Sequence, residues 1–127
     1  MPRWPAWLLF AAAAACAYPA VTTDPQSPLG ETYTARGQEP GWALTIGKDW
    51  IDYSGNYGDK RIRVPRPDPI STINGYLFQT ERLDVQINFM RCNDTMSGHG
   101  YEHRVMVKAD GETFHGCGGA RRPDWDV

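Results

Sequence analysis

The sequence has almost no net charge and few cysteines, and outside its first residues it has no long apolar run. With a formal net charge of −2, the chain lacks the basic excess of a nucleic-acid-binding protein, so nucleic acid is not a predicted partner. Beyond residue 16 no apolar stretch could cross a bilayer, there are no internal repeats, and no segment shows a helical period of useful length. What remains is a chain patterned for short β-strands.

The first sixteen residues have the layout of an export signal. One positive charge, Arg3, precedes an apolar run over residues 6–15 that is too short to span a bilayer comfortably. Residues 13–16, AAAC, resemble a bacterial lipobox, in which the cysteine, here Cys16, becomes the lipid-modified N-terminus, although Ala13 stands where leucine is usual. In the alternative, signal peptidase cleaves at an A-x-A site over residues 15–17 and removes Cys16.

The chain divides into three predicted segments. These are a lipoprotein signal peptide over residues 1–16, a proline-rich flexible tether over residues 17–31, and one β-barrel domain over residues 32–127. Lipid on Cys16 would anchor the protein to a membrane of the bacterial cell envelope. Because Ala17 stands where many inner-membrane lipoproteins carry aspartate, we expect the outer membrane, with the domain facing the periplasm.

Apolar and polar residues alternate along most of the domain. In residues 83–91, LDVQINFMR, the apolar side chains of Leu83, Val85, Ile87 and Phe89 share one face, which predicts a strand with one buried side. Shorter alternations cover residues 42–46, 50–53, 61–64 and 76–80.

The last two strands are predicted to form a hairpin. Asp110-Gly111 favours a type I′ turn, because both positions need positive φ, and this turn pairs Val107 with Phe114. We therefore predict an all-β fold, a small antiparallel β-barrel or a flattened sandwich of seven to eight strands.

With Cys16 assigned to lipid, Cys92 and Cys117 remain as an even pair in an oxidising compartment, which predicts a disulfide. Strand parity, counted along residues 83–91 for Cys92 and from the hairpin turn for Cys117, places both sulfurs opposite the apolar face or at the end of the sheet. The bridge would pin the loop between Asp94 and Tyr101 to the last strand.

Residues 91–103, RCNDTMSGHGYEH, contain several reactive side chains. We interpret them as a disulfide-anchored loop between two strands, with a structural role first and recognition second. No G-x-S-x-G elbow surrounds Ser97, and both cysteines are explained by pairing, so no catalytic residue, enzyme activity or cofactor is predicted. The candidate recognition residues are Asp94, Met96, Ser97, Gly98 and Tyr101.

Metal binding is a further alternative. His99 and His103 have the spacing of zinc peptidases, but glycines flank His99 and no helical pattern brings the pair together. Thioethers suit Cu(I), which makes copper conceivable. The residues for it would be Met90, Met96, Met106 and the histidines, including His115. Exposed loop histidines and packing methionines explain the same residues, so no metal site is assigned.

Three short motifs carry a resemblance to a family. They are G-x-E-P-x-W over residues 37–42, C-x-D-x-M-S over residues 92–97, and G-C-G over residues 116–118. Together they resemble an uncharacterised family of bacterial envelope lipoproteins, which implies a small β-barrel and no particular activity. In the first motif, Pro40 and the two glycines would fix a bend, and Trp42 would plug one end of the barrel. Glu39 belongs to the same structural motif.

A second, local resemblance concerns residues 97–101, SGHGY. They match the S-G-x-x-Y loop that periplasmic and membrane-bound lysozyme inhibitors insert into the enzyme's cleft, although the second inhibitor motif is absent. The resemblance implies that Ser97 would hydrogen-bond the lysozyme's catalytic carboxylates, with Tyr101 supporting the loop.

The sequence therefore predicts a non-catalytic, lipid-anchored envelope protein that binds an envelope protein or a small ligand at one barrel mouth. Lysozyme inhibition is the alternative, and copper or zinc handling is the further one.

Overall fold

The computed structural model describes residues 29–127, which form an antiparallel all-β fold. The predictions for the signal peptide, Cys16 and most of the tether lie outside the described residues. In the described range no helix has the length and hydropathy needed to cross a membrane. The strands are β1 (Tyr33–Gly37), β2 (Trp42–Ile46), β3 (Trp50–Gly55), β4 (Lys60–Pro65), β5 (Ile70–Thr72), β6 (Gly75–Gln79), β7 (Leu83–Asn88), β8 (Cys92–Asn93), β9 (Gly100–Ala109) and β10 (Glu112–Arg121), with 3-10 turns at Asn56–Gly58 and Pro123–Trp125.

Nine strands follow one path in a single sheet, in the order β4-β3-β2-β1-β10-β9-β7-β6-β5, and β8 pairs with β9 beside it. The first and last strands meet in the middle of this path, where Ala35 of β1 lies opposite Gly118 of β10. The sheet curls into a half-barrel, as the accumulated twist of many strands favours. The predicted all-β, barrel-like class is confirmed, with more strands than the seven to eight expected.

Contacts between distant strands hold the curl. Lys60 at the start of β4 pairs with Asp110 of the β9–β10 turn at 2.9 Å, and Arg82 binds the same carboxylate at 2.9 Å. The Arg66 guanidinium, which follows β4, lies 5.4 Å from the centre of the Phe78 ring on β6. The two edges of the sheet are therefore drawn toward one another over the core.

The main core fills the concave face of the curled sheet. It consists of the inward-facing residues of alternating strands, with Leu83, Val85 and Ile87 of β7 at zero exposure. The remaining members are Tyr33, Ala35, Trp42, Leu44, Ile46, Ile51, Tyr53, Ile62, Phe78, Val105, Val107 and Ala109. Leu29, which the sequence analysis placed in the tether, packs partly buried against this core.

The predicted C-terminal hairpin is confirmed. Asp110 and Gly111 both have positive φ, at 46° and 89°, and Val107 lies opposite Phe114.

The predicted length of β7 is wrong at its end. The strand stops at Asn88. The Phe89 amide still bonds the Asn74 carbonyl at 2.7 Å, but the Met90 amide bonds the Asn88 carbonyl at 2.8 Å, and Phe89 is left 44% exposed.

A second, smaller core lies on the opposite face of β10. It contains Tyr101 and the Cys92–Cys117 disulfide, whose Cα atoms are 5.5 Å apart. Cys117 lies opposite Arg36, outside the main core, so the predicted face is correct. The two cysteines are nevertheless buried, and Tyr101 packs with them.

Candidate functional site

The segment between β8 and β9, residues 94–99, is the recognition loop of the sequence analysis, and the buried Asp94 carboxylate organises it. Asp94 is 7% exposed. Its Oδ1 accepts the backbone N–H groups of Met96 at 2.8 Å and Ser97 at 3.1 Å, and its Oδ2 accepts the Gln38 side-chain amide at 3.2 Å. Burial by itself raises the pKa of Asp94. The N–H donors and the nearby Arg36 outweigh it and hold the pKa below its ordinary value.

The backbone of the loop closes on itself. The Asp94 amide bonds the His99 carbonyl at 2.9 Å, and the Gly98 amide bonds the Asp94 carbonyl at 2.8 Å. Ser97 Oγ accepts the His99 amide at 3.2 Å. Gly98 has a φ of +73°, a backbone conformation that residues other than glycine rarely adopt. These bonds give the loop one defined shape before any partner arrives.

The C-terminal tail, residues 122–127, clamps the loop from the other side. Asn93 Nδ2 donates to the Trp125 carbonyl at 2.9 Å, and the Val127 amide donates to the Gly98 carbonyl at 3.1 Å. Asp126 accepts the Gly100 amide at 2.8 Å and pairs with Arg121, whose Nη2 lies 2.7 Å from Asp126 Oδ2. The Arg121 side chain and then the Gly100 amide lower the pKa of Asp126 to about 2.

Tyr101 supports the loop from below. It is 8% exposed, lies opposite Cys92 across the β8–β9 pair, and belongs to the same small core as the disulfide. The guanidinium groups of Arg36 and Arg121 lie 5.8 Å and 5.9 Å from the centre of its ring. Two cations therefore border the base of the loop, at distances typical of cation–π contacts.

The outer side of the loop faces solvent. Thr95, Met96, Ser97 and His99 are all exposed, and Met96 reaches 65%. A thioether, two hydroxyls and an imidazole thus project from a backbone fixed by the disulfide, the buried carboxylate and the tail. Such a surface can offer both apolar contact and hydrogen bonds to a partner.

The turn that carries Glu39 and Pro40 contacts this loop, which the sequence did not indicate. Gln38 of the turn supplies the bond to Asp94, while Glu39 has φ of 53° and an exposed side chain. Trp42, at the end of the turn, lies in the main core, where a Cβ on Gly116 would stand 2.6 Å from its ring. Trp42 therefore packs on a glycine of β10 that directly precedes Cys117 of the disulfide.

A separate cavity of about 370 Å³ lies at the end of the sheet where β1 begins. Tyr33 Oη and His103 Nδ1 are 3.0 Å apart on its wall. Burial, then the nearby Glu102, raises the pKa of Tyr33, and burial lowers the pKa of His103 against the opposing effect of Glu102. The lining residues are Leu29, Thr32, Tyr33, Thr34, Glu102, His103, Gly119 and Ala120. Both polar and apolar side chains therefore line this cavity.

The three histidines lie in different surroundings. His103 contacts Tyr33 and Phe89, His99 is in the recognition loop, and His115 lies opposite Met106 in the hairpin. Within residues 29–127, no three His, Cys, Asp or Glu side chains are grouped so that they could hold a metal ion.

No protein-family model matches this chain, and no curated protein or solved structure is significantly similar to it. The resemblances to envelope lipoproteins and to lysozyme inhibitors therefore stay predictions.

Proposed function

We propose that this protein is a binding module of the bacterial cell envelope, which recognises a partner protein through the recognition loop. The observation that carries the proposal is the buried Asp94 carboxylate. Its three N–H donors fix the loop backbone while Met96 and Ser97 face solvent. A loop ordered in advance loses little conformational entropy on docking, so its contacts contribute more of their energy to affinity.

The same bonds favour binding over catalysis. The oxygens of Asp94 and Ser97 hold the backbone of the loop, and the two cysteines are joined in a disulfide. The reactive groups that made the segment conspicuous in the sequence thus maintain its shape. The exposed side chains that remain are suited to contact.

A site-specific crosslinking experiment tests this function. A photo-crosslinking amino acid is placed at Met96 in the full chain, expressed in a bacterial envelope, and at Tyr57 as the control. Tyr57 is 75% exposed and follows β3, outside residues 94–99 of the recognition loop. We expect a discrete protein adduct from position 96, abolished by Ser97→Tyr and absent from position 57. Equal labelling at both positions, or none at 96, would reject the proposal.

A lysozyme is the second candidate partner, favoured by the placement of Ser97 and Tyr101. Ser97 is exposed and keeps its hydroxyl proton available, since its oxygen acts as an acceptor within the loop, and Tyr101 lies beneath as a support. The test is inhibition of c-, g- and i-type lysozymes by micromolar protein. Inhibition lost in Ser97→Ala but kept in Thr95→Ala supports this partner, and no inhibition of any lysozyme removes it.

We also propose that the chain is exported and held at a membrane of the cell envelope by lipid on Cys16.

 The support for this is the signal-like segment over residues 1–16 and the proline-rich stretch that follows it. In a Gram-negative host, the absence of aspartate after Cys16 favours the outer membrane, with the domain facing the periplasm. Fractionation tests the anchor: Cys16→Ala is expected to release the protein from the membrane fraction, and continued retention would contradict lipid attachment.

A further inference from the structure

An exposed apolar patch lies at the end of the sheet where β1 begins. We call Ile73, Phe89 and Met90 the entry-end patch. Ile73 in the β5–β6 turn is fully exposed, and Phe89 and Met90 after β7 are 44% and 47% exposed. The bond from the Phe89 amide to the carbonyl of Asn74, the residue after Ile73, joins the two segments. Three large apolar side chains thus share one end of the domain.

This patch adjoins the place where the chain enters the domain. The Phe89 ring lies 4.8 Å from the His103 ring, and His103 bonds Tyr33 at 3.0 Å. Tyr33, His103 and Leu29 line one cavity. A short series of contacts therefore leads from the entry-end patch to Leu29, the first residue that the structure describes.

We infer that the entry-end patch docks on the lipid bilayer that carries the proposed anchor. This inference rests on the proposed lipid at Cys16, because the twelve residues between Cys16 and Leu29 could span at most about 43 Å even when fully extended. The domain end nearest the bilayer is the end where that segment attaches, and it presents Ile73, Phe89 and Met90. Apolar side chains at a membrane surface enter the boundary between headgroups and acyl chains.

An arginine beside the patch suits the same surface. Arg104 is exposed, and its Nε donates to the carbonyl of Arg91, the residue after Met90, at 3.2 Å. Guanidinium groups form strong hydrogen bonds with phosphate, so Arg104 can contact lipid headgroups while the patch is inserted. Docking in this orientation would hold the domain at a fixed angle to the membrane.

Crosslinking to lipid tests the docking. A photo-crosslinking amino acid is placed at Ile73 or Met90 in the full chain, with Tyr57 and Met96 as exposed controls. On membranes of phosphatidylethanolamine and phosphatidylglycerol, lipid adducts at 73 and 90 are expected to exceed those at 57 and 96 several-fold. Equal yields at all four positions would overturn the inference. The Ile73 position is fully exposed, so the probe does not disturb the core.

The experiments distinguish a failure of the proposed lipid anchor from a failure of the proposed docking by the entry-end patch. Membrane-retained protein without lipid adducts at 73 or 90 overturns the patch and leaves the anchor standing. If fractionation shows no anchor, the released protein is crosslinked with added vesicles of the same lipids. Adducts at 73 then still support the patch, and their absence overturns it. A protein adduct at Met96 reports on the recognition loop independently of both.

Discussion

The Asp94 carboxylate accepts the side-chain amide of Gln38 at 3.2 Å, which joins the recognition loop to the turn between β1 and β2. Two sequence motifs that lie far apart in the chain are therefore one structural unit. The Glu39-Pro40 turn positions Gln38, and Gln38 helps to position Asp94, so a change in the turn is transmitted to the loop by a direct contact.

Replacing Asp94 tests how far the carboxylate organises the loop. Asp94→Ala removes the charged acceptor of the Met96 and Ser97 amides, which should lower the free energy of unfolding by about 1–3 kcal/mol. Asp94→Asn keeps one carbonyl oxygen and should cost less. Urea denaturation measures the stability, and hydrogen exchange should show faster exchange at both amides.

The matched control is Asp68→Ala, because Asp68 is exposed in the connection between β4 and β5. A surface change of this kind is expected to alter stability by less than about 0.5 kcal/mol. If the Ala variants at 94 and 68 behaved alike, the carboxylate would not be the organiser of the loop.

Removing the disulfide should destabilise the recognition loop more than the rest of the sheet. The Cys92–Cys117 bridge spans 25 residues, and its loss in Cys92→Ser/Cys117→Ser is expected to cost about 3 kcal/mol, mainly through the unfolded chain. Amides of residues 94–99 should lose protection from hydrogen exchange more than those of β7. Two titratable thiols in the unreduced protein would show that the bridge does not form.

The close packing of Trp42 on Gly116 predicts a large effect of one methyl group. A Cβ at Gly116 would stand 2.6 Å from the Trp42 ring and even closer to the Arg36 carbonyl, so Gly116→Ala should destabilise the protein by more than about 2 kcal/mol. Gly47→Ala is the control, since the nearest atom there is 3.6 Å away. Thermal unfolding of both variants gives the comparison, and equal melting temperatures would contradict the packing.

The ion pair between Arg121 and Asp126 predicts an acid-sensitive tail. The pKa of Asp126 is about 2 in the folded protein and about 4 in an unfolded chain, so the pair stabilises the fold fully above pH 4. This stabilisation decreases as pH falls from 4 toward 2, because the folded carboxylate becomes protonated. Trp125 fluorescence should report the release of the tail in that window. Asp126→Asn should abolish the transition, and an unchanged profile would contradict it.

Much of the sheet could be predicted because its strands have one buried face. The alternation in β7 and the Asp110-Gly111 turn each encode their structure within a few residues, and strand parity placed Cys117 on the correct face. Phe89 continues the alternation in the sequence but not in the structure, because the chain turns after Asn88, where the Met90 amide bonds the Asn88 carbonyl. Apolar periodicity alone does not show where a ladder stops.

The elements that were missed depend on distant partners. β1 consists largely of small and polar residues, and it becomes a strand because β2 and β10 pair with its two sides. The two-residue β8 and the tail clamp around Asp126 likewise form only through contacts with β9 and Gly100. No local pattern indicates such elements, and for the same reason the bond between Gln38 and Asp94 could not be anticipated.

The pairing of β1 with β10 sets the order in which the chain can complete its fold. A polypeptide that is synthesised from its N-terminus presents β1 early, yet β10, the strand that lies beside it in the middle of the sheet, is made after all the other strands. Contacts between the two ends of a chain carry a large loop-closure cost and form slowly. Until β10 arrives, β1 has one open edge, and a chaperone that shields unpaired strands would find its substrate there.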